Sequence, residues 1–86
     1  MSRVMPGGLA VIHTTNGDQL NVRTGAGTNY QIIAKLGDGA RVTLMEGPKT
    51  ADGFEWWRIR TDSGIAGWVV DEVNDDGKQL ETLLPA

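Results

Sequence analysis

Apolar and polar residues alternate in short runs along this chain, and glycines interrupt the runs. Period-two alternation marks strands with one buried face, and no segment carries a sustained i, i+3, i+4 apolar pattern between helix caps. The pattern predicts a first strand, GLAVIHT (Gly8–Thr14), then TNGD (Thr15–Asp18) with the Asn-Gly pair of a tight hairpin turn. QLNVR (Gln19–Arg23) is expected to fold back on the first strand, with Leu20 and Val22 facing one side and Asn21 and Arg23 the other. The loop TGAGTNY (Thr24–Tyr30) follows. NYQIIAKL (Asn29–Leu36) is the best short helical candidate, but its β-branched Ile32–Ile33 pair suits a strand or turn equally.

After the turn Gly37–Gly39, ARVTLME (Ala40–Glu46) reads as a strand with Val42 and Leu44 on one face. GPKTADG (Gly47–Gly53) reads as a loop opened by Gly-Pro and closed by Asp-Gly. FEWWRIRT (Phe54–Thr61) and IAGWVV (Ile65–Val70) form a hairpin about the turn Asp62–Gly64, and QLETLL (Gln79–Leu84) is a last strand stopped by Pro85. Five to seven short strands in so short a chain predict an all-β fold, a small antiparallel barrel without exposed edges.

The chain has 86 residues, enough for one domain with one modest core. Residues 1–7 are read as a flexible N-terminal segment and 8–86 as the folded domain. It has no cysteine, which excludes disulfides, thiolate metal sites and a cysteine nucleophile. The start MSRVMPGG lacks the apolar core of a signal peptide, so the chain is either cytoplasmic or one domain of a longer exported protein. No apolar run approaches the roughly 20 residues that span a bilayer. With a net charge of −3 and eight scattered Lys and Arg, the chain lacks the basic face that nucleic-acid binding requires.

Candidate chemistry fails on spacing. Gly25 and Gly27 begin a GxG motif, but the third glycine and the following helix of a dinucleotide fingerprint are missing. GPKT resembles the tail of a phosphate loop, but Pro48 intervenes and removes a backbone donor. His13, expected as a partly exposed strand residue, has no serine placed as its nucleophile: Ser2 is terminal and Ser63 lies in a turn. In the acidic NDDG stretch, Glu72, Asn74 and Asp76 occupy calcium-loop positions, but Leu83 stands where the bidentate carboxylate belongs. A solvated acidic turn is the better reading. No cofactor, no metal site and no enzymatic activity are expected.

The aromatics remain: Tyr30, Phe54, Trp56, Trp57 and Trp68. Strand parity puts Trp57 with core Ile59, and Phe54 and Trp56 with Arg58 and Arg60 on the opposite face. Trp56 is therefore expected outward, beside Trp68, as a platform for a peptide or sugar; the alternative is that both tryptophans only cover the ends of the core. Gly25 and Gly27 are expected to turn the loop so that Tyr30 approaches them.

The segments LNVRTGAGTNYQIIAKLGDGARVTLMEG and WWRIRTDSGIAGWV resemble the bacterial SH3 domain over about Leu20 to Val70. The resemblance implies a small β-barrel and a non-catalytic module, of a kind found in cell-envelope proteins and wall hydrolases, that binds wall peptides or positions a catalytic domain. Eukaryotic relatives bind proline-rich helices through aromatics, and their paired tryptophans and Gly-Tyr-Ile match Trp56–Trp57 and Gly67-Trp68-Val69. Val70 stands where those relatives carry a proline, so the match does not extend to proline-rich ligands. The expected ligand face is Trp56, Trp68 and Tyr30, with Asn29 and Glu55 as polar contacts. The expected partner is an extended peptide, a peptidoglycan fragment whose amines meet an acidic module, or a protein. The alternative is an assembly domain without a small ligand that packs on a partner or weakly self-associates.

Overall fold

The computed structural model describes residues 7–75 and 77–86. Its elements are strands: β1 (Leu9–Ile12), β2 (Leu20–Arg23), β3 (Ile32–Leu36), β4 (Arg41–Ala51), β5 (Phe54–Thr61), β6 (Ala66–Val70), β7 (Glu72–Asp75), β8 (Lys78–Glu81) and β9 (Leu83–Pro85). Seven of them form one antiparallel sheet in the order β3-β2-β6-β5-β4-β1-β9, while β7 and β8 pair as a separate hairpin. The fold is all-β, as the alternation predicts.

The inward positions are those that alternation selects. Ala10, Ile12, Leu20, Val22, Val42, Leu44, Trp57, Ile59, Val69 and Leu83 make one buried cluster. Ala34 and Leu36 of edge strand β3 pack on the same cluster as Leu83 of the opposite edge strand, so the sheet curls about a single core. Gly67 is the inward residue opposite Ile59, and a Cβ there would lie 2.5 Å from the Val22 side chain and 2.7 Å from the Arg23 carbonyl oxygen. Only glycine lets β6 approach β2 this closely.

Pairing departs from the sequence reading in several places. Asn16 and Gly17 have positive φ, and the Asp18 N–H donates to the Thr15 carbonyl at 2.9 Å, so the turn forms. The hairpin does not: β1 pairs with β4 and β9, and β2 with β3 and β6. A tight turn sets the chain's direction over four residues, whereas partner choice follows burial of a whole face, and β1 and β2 enter the core at separate places in the sheet.

The segment left open between helix and strand resolves as strand β3, as its β-branched pair allows. The expected loop Gly47–Gly53 is mostly strand: β4 runs on to Ala51, and the turn is Asp52-Gly53 alone, with φ of 53° and 78°. Two register shifts, around Met45 and around Gly47 and Pro48, carry β4 through this stretch, and the Gly47–Pro48 peptide is cis. QLETLL splits at buried Thr82 into the end of β8 and the start of β9. Pro85 does not stop β9 but pairs with Ala10, which an edge strand tolerates because no neighbour needs its missing N–H. His13 lies just past β1, with Nδ1 3.3 Å from the Asp38 carboxylate.

Candidate functional site

Strand β5 carries two adjacent tryptophans to opposite sides of the sheet. Trp57 points inward and is 1% exposed. Trp56 points to the outer face, yet it is only 2% exposed, which corrects the expectation of an open platform. The loop between β2 and β3 stands beside it, with Thr28 lining the same cleft. The Arg23 guanidinium donates to the carbonyls of Thr28 and Tyr30 at 3.2 and 3.0 Å, which folds the loop back on β2. The Thr28 N–H and hydroxyl donate to the Asp52 carboxylate at 2.8 and 3.1 Å, which ties the loop to the β4–β5 turn. The Trp56 indole donates to the Ala51 carbonyl at 2.9 Å, and Phe54 meets it edge-on with ring centroids 6.5 Å apart. Trp56 is thus the floor of a cleft of about 220 Å³ whose walls include Asn21, Arg23, Thr28, Phe54 and Val70.

Trp68 is the half-buried aromatic of the outer face. It sits directly opposite Arg58 on β5 and Arg23 on β2. The Lys49 ammonium lies 5.8 Å from its ring centroid, within cation–π range. Arg58 is 3.6 Å from the Glu46 carboxylate, an exposed pair of little energetic weight. The face around Trp68 is therefore cationic although the chain is net acidic. Sequence reading placed Arg58 on this face but missed Lys49, because the two register shifts in β4 break the alternation that would have located it.

Tyr30 is 51% exposed, and its loop reaches the neighbourhood of Trp68 through Arg23. Gly25 does not have positive φ; a Cβ there would lie 2.6 Å from the Tyr30 ring, so its role is to make room for that ring. Asn29 is exposed on the same loop. Glu55 is exposed but belongs by parity to the opposite face of β5, with Trp57, and its carbonyl accepts the Asp71 N–H at 3.0 Å. The structure gathers Trp56, Trp68 and the Asn29–Tyr30 loop about Arg23, and sets Glu55 apart.

Asp71, which no motif or alternation singles out, is 4% exposed and accepts the Trp57 indole N–H at 3.2 Å. Burial pushes its carboxyl up to about 6; the Trp57 hydrogen bond opposes this, and the Glu55 and Glu72 charges add to it. Its carbonyl accepts the Thr82 N–H and the Thr82 hydroxyl donates to Val70, so Asp71 and Thr82 fasten the β7–β8 hairpin to the sheet. Among the described residues no cluster of three or more His, Cys, Asp or Glu is placed to hold a metal; Asp76 lies outside them. No helix among them is long and apolar enough to cross a membrane.

A family model described as the bacterial SH3 domain matches residues 18–74. The chain is also 41% identical over 63 residues to the putative N-acetylmuramoyl-L-alanine amidase YrvJ of Bacillus subtilis (strain 168), a match covering 73% of this chain and 11% of that protein. The chain thus spans about a tenth of this relative's length. No solved structure matches the chain.

Proposed function

The chain belongs to the bacterial SH3 domain family, and from that premise we propose that it is a non-catalytic binding module that recognises an extended peptide, such as a cell-wall stem peptide, through the outer face of β2, β6 and β5. The observation that carries this reading is the half-buried Trp68 beside a cleft floored by Trp56 and bounded by the Tyr30 loop. An aromatic plate beside a shallow apolar cleft suits an extended chain better than a compact ligand. The amidase relative adds support: the bond in its name joins an N-acetylmuramoyl group to L-alanine. On this reading the module works outside the cytoplasm, attached to or beside wall-directed machinery.

Titration of peptidoglycan fragments against tryptophan fluorescence tests the proposal. Saturable binding is expected, with at least about a tenfold loss in Trp68→Ala, the cost of removing an aromatic anchor. Thermal stability should change little, because Trp68 is not part of the core cluster. A second reading, an assembly domain, is favoured by edge strand β3, where Ile32 and Ile33 are 39% and 43% exposed. A dimer by light scattering, with no response to any fragment, selects that reading instead.

A further inference from the structure

We infer that the outer face selects a carboxylate-bearing peptide: its acid group seats between Lys49 and Arg58, and its apolar stem lies on the Trp68 indole. This rests on the reading of that face as a peptide site and names the chemistry it prefers. The sequence suggests the reverse, an acidic module that meets amines, because the chain carries −3 overall. The fold sorts its charges. Arg23 and Arg58 stand in register on either side of Trp68, and the Lys49 ammonium lies over its ring. Arg60 follows Arg58 on the same face of β5, opposite Ala66 of β6. Glu46 is the acid in register with this row, and its contact with Arg58 is a long 3.6 Å between half-exposed side chains. Asp52 borders the cleft, where its carboxylate accepts both hydrogen bonds from Thr28, while Glu55, Asp71 and Glu72 lie elsewhere, around the base of the β7–β8 hairpin.

Lys49 on β4 stands opposite Trp56, two residues from Arg58 on β5, so the two cations are diagonal neighbours on adjacent strands, roughly 7–8 Å apart at the backbone, a gap that two long side chains can close on one carboxylate. Arg23 is occupied in holding the loop through Thr28 and Tyr30, and its charge stays beside the cleft. Lys49 and Arg58 are on the exposed surface and can turn to a ligand oxygen. A bare phosphate polymer would use the cations but leave the indole and the apolar cleft floor without a partner. A peptide carboxylate with its own aliphatic stem uses both.

The test compares one wall stem peptide in two forms, with its carboxylates free and with them amidated, by calorimetric titration against the wild type, Lys49→Met and Arg58→Met. Methionine keeps an apolar chain and removes the charge. The free form is expected to bind roughly tenfold more tightly than the amidated form, the gap narrowing in either variant and as salt is raised. Equal affinity of the two forms in the wild type overturns the inference and leaves the binding-module reading standing. Failure of both forms to bind removes that reading, and the inference with it. Inorganic polyphosphate that binds more tightly than the free-acid peptide, and loses affinity in Lys49→Met, reassigns the face to phosphate and overturns the choice of a peptide.

Discussion

Trp56 and Trp57 are adjacent, equally buried, and held by different means. Trp57 is enclosed by side chains from many strands of the sheet, and its indole N–H meets the carboxylate of Asp71. Trp56 lies on the other side of the same strand, outside the core cluster, beside a loop secured by Arg23 and Asp52. The inner side holds the fold together, and opening it requires opening the sheet. The loop on the outer side is held by a few exposed hydrogen bonds, each worth about 1 kcal/mol, so it can move while the sheet persists. Binding surfaces are commonly drawn from such low-stability segments.

The largest expected effect lies on the inner side. Trp57→Ala empties the centre of the core and removes the indole partner of a buried carboxylate, and should cost about 3–5 kcal/mol in urea unfolding. A loss near 1 kcal/mol would show that the two tryptophans are not distinguished as described.

Asp71 gives the second test. Its folded pKa of about 6 lies above the ordinary 3.8, so between those values the folded state holds a proton that the unfolded chain has lost. The resulting stability is fully present below 3.8 and is lost as pH rises through about 6. The gap corresponds to about 3 kcal/mol at most, at roughly 1.4 kcal/mol per unit. Asp71→Asn, which retains an acceptor for Trp57, should raise stability near neutral pH by about 1–3 kcal/mol and flatten the profile between the two pKa values. An unchanged slope in urea midpoints across that range would remove Asp71 as its source.

The same contrast explains what the sequence made legible. Leu20 and Val22, Val42 and Leu44, and Trp57 and Ile59 are legible because burial on one face forces period-two alternation. The Asn16-Gly17 turn is legible as a turn but not as a pairing, since the partners of β1 and β2 are chosen by contacts distant in sequence. Within the candidate site, Trp68 could be picked out by its place in β6. Lys49 could not, because the irregular pairing of β4 places it opposite Trp56 only in three dimensions. The burial of Trp56 was hidden for a similar reason: parity gives the direction of a side chain, and nothing in it shows what will pack around it.

The smallest stability effect, and the sharpest separation of the two sides, is expected from Asp52. Its carboxylate accepts both hydrogen bonds from Thr28, and its backbone has a φ of 53° that costs a non-glycine residue some strain. Asp52→Gly removes the tie and relieves the strain together, and the two should offset to within about 1 kcal/mol in global unfolding. The local consequence should be large by comparison. With the tie gone, the loop of residues 24–31 can move away from the cleft, so tryptophan emission should shift to the red and acrylamide quenching should rise while the urea midpoint barely moves. In a Trp56→Phe background the spectral change should vanish, which assigns it to the outer tryptophan. If the unfolding free energy instead falls by several kcal/mol in step with the spectrum, the loop is part of the cooperative core, and the two faces of β5 are one unit rather than a rigid side and a yielding one.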